Sequence, residues 1–198
     1  MAWLEATITG EADHAGPTPM HRRSDAMATA AAAIEEIHGL PNRLSADAVA
    51  TVGRMAVSPN SINVIPSEAT FTVDVRSYDD GVVDAAVSEV ESEIAAACDR
   101  WGTEFELETL WRIPHTEFSE TVRKAALAGV EAAGVSYQEM VGGAGHDANY
   151  VNRVTDSGML FVPSVDGKTH SEAEYTEWED VIAGARAYAA TVRELATE

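Results

Sequence analysis

The chain has 198 residues, 45% of them hydrophobic and 23% charged, with 13 Lys+Arg against 33 Asp+Glu and a formal net charge of −20. The length suits one ordinary domain or two small ones, and the apolar content is that of a globular protein rather than a disordered one. The acidic field argues against nucleic acid or an anionic membrane surface as a partner, and no apolar run approaches the roughly 20 residues of a membrane span.

The single cysteine, Cys98, leaves no internal disulfide and no multi-cysteine zinc site. The first residues carry neither a basic region nor an apolar signal core, so the expected location is the cytoplasm. Lys124 and Lys168 are the only lysines, and Ala and Val carry much of the apolar content. An acidic shell of this kind suits a protein held soluble in concentrated salt, where its self-repulsion is screened.

Residues 4–9 alternate as a first strand. A helix is predicted over 24–38, from the spacing of Met27, Ala30, Ile34 and Ile37, with Ser24 as its cap and Gly39 followed by Pro41 as its stop. A second strand follows at 48–55. Ala69, Phe71, Val73 and Val75 then alternate with Thr70, Thr72, Asp74 and Arg76 as a half-buried strand. Val83, Val87, Val90, Ile94, Ala97 and Trp101 form a long helical stripe ended by Gly102, and Phe105 and Leu107 begin a last strand. This βαββαβ order predicts a ferredoxin-like layer, one sheet with two helices on one face.

The pattern changes near Pro114. A helix is expected over 119–133, ended by Gly134, then a strand over 135–141. A Gly-rich turn leads into a short helix over 146–152, and the apolar run 159–162 reads as a strand covered on both faces. Thr176-Glu177-Trp178-Glu179 reads as a capping box opening a final helix. That helix's expected buried stripe is Trp178, Val181, Ile182, Ala185, Tyr188, Ala189, Val192 and Leu195. Two buried parallel strands do not make a stable sheet. The expectation is therefore an α+β domain over 1–114 followed, over 115–198, by an incomplete piece of an α/β domain whose other strands lie elsewhere. One continuous mixed sheet is the alternative.

Four segments carry candidate chemistry. His14 sits in a loop stiffened by Gly10, Gly16, Pro17 and Pro19, where a histidine can donate a hydrogen bond to an oxyanion; a surface histidine without a role has the same spacing. Asn63 lies in the connection 59–66, and Arg76 on the polar face of the next strand. An arginine there can grip a carboxylate with two parallel hydrogen bonds, or simply pair with Asp74. The turn Gly142-Gly143-Ala144-Gly145 before His146 can offer backbone N–H groups to a polar ligand, and His146 beside Asp147 can equally form a local polar cluster. His170 follows an apolar strand, where metal sites of α/β proteins collect, but one histidine cannot hold a catalytic metal. Cys98, inside a helix, reads as a packed thiol.

In this order and spacing, residues 10–25 (GEADHAGPTPMHRRSD), 51–76 with PNSINVIP and DVR, 142–148 (GGAGHDA) and 158–174 (GMLFVPSVDGKTHSEAE) resemble the metal-dependent amidase/hydantoinase–carbamoylase family. That family includes N-carbamoyl-L-amino acid hydrolases, allantoate amidohydrolases and β-ureidopropionases, within the aminoacylase-like dinuclear metallopeptidases.

The resemblance implies a homodimer, a two-part catalytic domain and an inserted lid that dimerises. Residues 1–114 then match the lid and 115–198 the C-terminal part of the catalytic domain. It implies that His14 reaches the partner subunit's site and stabilises the oxyanion, and that Asn63 and Arg76 hold a substrate carboxylate. The loop of Gly143, Ala144, Gly145 and His146 contacts substrate, and His170 is the last metal-ligand histidine. The other ligands of the divalent metal (zinc, manganese or cobalt) and the general base belong to an N-terminal catalytic segment outside these residues, so the chain alone is expected to be inactive. Glu172 and Thr169 stand where the family has Pro and Ser. The competing reading is a non-catalytic dimerisation or carboxylate-binding module.

Overall fold

The computed structural model describes residues 1–197. The chain divides into two compact units, Met1–His115 and Thr116–Glu198.

The first unit runs β1 (Ala2–Thr9), β2 (Asp13–His14), α1 (Ala26–Leu44), β3 (Val49–Ser58), β4 (Val64–Ile65), β5 (Glu68–Arg76), α2 (Asp80–Trp101) and β6 (Glu104–Arg112). Four strands form one antiparallel sheet in the order β3-β5-β1-β6, while β2 and β4 pair as a separate short ladder. The period-2 pattern decides the faces. Leu4, Ala6 and Ile8 of β1 and Phe71, Val73 and Val75 of β5 are buried with Ala30, Ala33, Ile37 and Leu40 of α1 and Val90 and Ile94 of α2. Each large side chain buried there contributes about 1.5–3 kcal/mol. The opposite face stays polar, with Glu5, Thr7, Thr70, Thr72, Asp74 and Arg76 on it. Met1 and Ile113 exchange backbone hydrogen bonds of 2.9 and 3.1 Å, which sets the two ends of this unit side by side.

Helix α1 departs from its expected limits. Asp25, not Ser24, caps it, accepting from the Ala28 amide at 3.0 Å. The helix runs past Gly39 and carries Pro41 inside it. Burial of Leu40, with Leu44 packed against the same core, outweighs the local breaking tendency of glycine and proline. Helix α2 ends as expected, at Gly102, whose φ of +66° only glycine adopts at no cost. Cys98 is buried, and burial pushes its thiol pKa up, as fits an inert packed cysteine.

The second unit contains α3 (Glu120–Ala133), α4 (Asp147–Val151) and α5 (Trp178–Leu195). Helices α3 and α5 meet at Gly129, where an added Cβ would lie 2.3 Å from the Thr191 hydroxyl. The strands expected at 135–141 and 159–162 do not form. A strand exists only through hydrogen bonds to a neighbour, and these segments find none; Met140, Val141, Phe161 and Val162 are exposed.

The expected final helix forms as α5, but its expected cap and buried stripe do not. Its N-cap is Glu177 without a side-chain bond, so no capping box forms. Its buried residues are Ala187 and Thr191, while Trp178, Ile182, Tyr188 and Val192 of the apolar stripe lie exposed. The small-residue face packs on α3, and the large apolar face is left outward.

Candidate active site

The first group of candidate residues is built by the β2–β4 ladder. His14 stands opposite Val64 in it, and the Ala15 amide donates to the Asn63 carbonyl at 2.9 Å. Ile65, 2% exposed, anchors the ladder to the core. His14 and Asn63 are thereby brought together, both exposed.

The loop carrying His14 is pinned at several points. Arg23 donates to the Ala15 carbonyl at 2.7 Å and, through two nitrogens, to the Thr18 carbonyl at 2.9 and 3.0 Å. The Thr18 hydroxyl donates to the His14 carbonyl at 2.8 Å. Asp13 accepts from the His14 amide at 2.7 Å, and this bond comes first among the causes that hold its carboxyl below the usual range. None of Arg23, Thr18 and Asp13 was a candidate from sequence, because no spacing rule marks a basic residue nine positions downstream as a loop staple.

The ring itself is oriented. The Gly16 amide donates to His14 Nδ1 at 3.0 Å. That nitrogen is an acceptor, so the neutral ring carries its proton on Nε2. An Nε2–H held out from a rigid loop is the donor that stabilisation of an oxyanion requires.

Arg76 is placed elsewhere. It ends β5, opposite Val49, while the β2–β4 ladder adjoins the other end, where Thr9 faces Glu68. At 3.3 Å per residue the length of β5 separates the two by about 26 Å. Arg76 donates through Nε to Asp74 Oδ1 at 3.0 Å and through Nη2 to Oδ2 at 2.7 Å, and this carboxylate raises its pKa further.

In the second unit Gly143, Ala144, Gly145 and His146 form an exposed turn. The start of α4 is closed by its own side chains. His146 Nδ1 accepts from the Ala148 amide at 3.0 Å, and Asn149 Oδ1 accepts from the His146 amide at 2.8 Å. The expected set of amides open to a ligand is in this part already used. Asn149 was not a sequence candidate, although His-x-x-Asn has the reciprocal spacing of a capping box.

His170 is exposed in the left-handed region at φ +53°, its amide donating to Glu174 at 2.8 Å. No three His, Cys, Asp or Glu side chains converge as metal ligands among the described residues. A catalytic divalent metal takes three or more protein ligands. One imidazole does not fit such a group. No helix of the described residues is long and apolar enough to cross a membrane.

Comparison with known proteins agrees with the motifs. The family model for peptidase family M20/M25/M40 matches residues 6–194. An N-carbamoyl-L-amino-acid amidohydrolase of Rhizobium meliloti is 38% identical over 187 residues, covering 92% of this chain and 44% of that protein. An allantoate amidohydrolase of Bacillus subtilis (strain 168) is 34% identical over 181 residues, covering 91% and 44%. The solved structure of an amidase of the hydantoinase/carbamoylase family from Burkholderia vietnamiensis superposes with a TM-score of 0.94 at 36% identity, covering 98% of this chain and 47% of that one. The chain thus spans less than half the length of these relatives. It is similar to amidases of the hydantoinase/carbamoylase type, and it belongs to peptidase family M20/M25/M40.

Proposed function

We propose that this chain works in an amidohydrolase that cleaves carbamoyl or ureido C–N bonds of amino-acid-like acids, as the lid and the C-terminal part of the catalytic domain. The single observation that carries this reading is the His14 loop: a histidine whose tautomer is fixed by Gly16 so that Nε2–H faces outward. At a tetrahedral centre that donor stabilises the developing oxyanion by a hydrogen bond. Arg76 supplies the charge that binds the acid group. The substrate class is supported by the amidohydrolase relatives.

The strand order β3-β5-β1-β6 with α1 and α2 on one face supports reading the first unit as a ferredoxin-like lid. The paired ends at Met1 and Ile113 suit a unit inserted into another domain. Because His14 and Asn63 stand about 26 Å from Arg76 along β5, one small acid cannot touch all three in one copy. They serve two sites in a homodimer, with His14 and Asn63 reaching into the partner's.

The exposed apolar runs at 140–141 and 160–162 and the outward face of α5 support this reading, since they suit surfaces on which further strands and helices of a catalytic domain would pack. An N-terminal catalytic segment outside these residues would supply the metal ligands that join His170, and the general base; a divalent metal (zinc, manganese or cobalt) held there would provide an activated water.

The test measures metal content and release of amino acid from N-carbamoyl-L-alanine and from allantoate. It is run with this chain alone and with the segment that precedes the matching region in its relatives. Hydrolysis and metal binding that need both parts are expected. Turnover by this chain alone with two bound metals refutes the proposal, and carboxylate binding without metal in either form supports the non-catalytic module instead.

A further inference from the structure

Among the ion pairs of the described residues, the one between Arg76 and Asp74 differs from the rest. Arg123 and Lys124 each touch one carboxylate through a single nitrogen, and Arg43 divides its two contacts between Glu36 and Glu93. Arg76 instead lays Nε and Nη2 along both oxygens of Asp74, at 3.0, 3.2 and 2.7 Å. Two parallel bonds fix the plane of a guanidinium, where one leaves it free to swing.

The partner is two residues away on the same strand, so both side chains rise from the polar face of the sheet. They are only 31% and 27% exposed. Across the ladder Asp74 stands opposite Trp3, whose ring lies 4.8 Å from that of Trp111. The pair thus shares its face of the sheet with the cross-strand Trp3 and is partly shielded from solvent.

We propose that Asp74 is a positioning residue for the acid-binding group: it locks the Arg76 guanidinium in one plane before substrate arrives. This rests on the reading of Arg76 as the group that binds the substrate carboxylate. A flexible arginine loses its rotamer freedom when it binds a ligand, and one already held by Asp74 has lost it on folding. Asp74 touches no reacting atom and acts through Arg76.

The test uses the catalytically competent protein, with whatever polypeptide completes it, and N-carbamoyl-L-alanine as the probe. Asp74→Asn keeps the shape and removes the charge and the two-point contact. It is expected to raise KM about three- to tenfold, the cost of immobilising one long side chain on binding, with kcat within about twofold. Asp74→Glu is expected to recover part of the loss. Arg76→Ala is expected to raise KM about ten- to hundredfold, as for a lost charged hydrogen bond, and adding Asp74→Asn to it is expected to change nothing more. In a 15N spectrum of this chain the Arg76 Nε–H signal is expected to exchange slowly, and Asp74→Asn to speed it.

An unchanged KM in Asp74→Asn together with a raised KM in Arg76→Ala overturns the positioning role and leaves the acid-binding role standing. An unchanged KM in Arg76→Ala overturns both. A further rise on adding Asp74→Asn to Arg76→Ala shows an effect that does not pass through Arg76, and also overturns the proposal. Thermal melting of each variant separates these outcomes from loss of fold, which a purely structural ion pair would show without a shift in KM.

Discussion

Replacing Gly10 by alanine tests whether the His14 loop is anchored as described. Gly10 follows β1, and its amide donates to the Ser67 carbonyl at 2.8 Å while the next amide, of Glu11, donates to the Ser24 carbonyl at 2.8 Å. A Cβ at position 10 would lie 2.1 Å from that same Ser24 oxygen and 3.1 Å from the Ala26 amide nitrogen. The obstacle is backbone at the start of α1, so no side-chain rotation relieves it. Either the Ser24 carbonyl turns away and the Glu11 bond is lost, at about 0.5–1.5 kcal/mol, or the loop shifts under strain of about 1–3 kcal/mol. Either way the expected destabilisation is about 1–3 kcal/mol. For a unit of this size that lowers Tm by about 5–20 °C. Urea titration with calorimetry measures the loss, and hydrogen exchange at Ala15 and Gly16 reports the loosened loop. A variant within about 0.5 kcal/mol of the parent, the range of an ordinary surface substitution, with unchanged exchange at Gly16, refutes the reasoning.

Three further outcomes are expected. Gly129→Ala destabilises the second unit although alanine is the better helix former by about 1 kcal/mol, because the new Cβ meets the Thr191 amide nitrogen at 2.7 Å; a raised melting temperature contradicts the α3–α5 packing. Asp47 accepts hydrogen bonds from the Ser45 hydroxyl, the Tyr78 amide and the Ser77 hydroxyl, which lower its pKa to about 2 from an ordinary 3.8. Its folded-state value is depressed, so its stabilising effect is complete above about pH 4 and fades as pH falls toward 2; Asp47→Asn therefore flattens the stability–pH curve in that window, and an unaltered curve rejects the network. With a formal charge of −20, molar KCl is expected to raise Tm steadily by screening self-repulsion, and a Tm indifferent to salt removes the salt-adapted reading.

Local patterning alone determined most of the first unit. The alternation of Phe71, Val73 and Val75 with Thr72, Asp74 and Arg76 sets which face is buried, and Gly102 marks a helix end, because a two-residue period and a left-handed φ are properties of the chain itself. The motif segments likewise pointed to His14, Asn63, Arg76, His146 and His170 as candidates. Tertiary contacts decided the rest. Burial of Leu40 carried α1 through Pro41, and a neighbouring backbone amide chose the tautomer of His14. The fold put Arg76 at the far end of β5 from His14, and the lack of any paired neighbour kept 159–162 from becoming a strand. Each of these turns on groups distant in sequence or on a hydrogen-bond partner that periodicity does not encode, and strand pairing is the clearest case, since half of every ladder belongs to another segment.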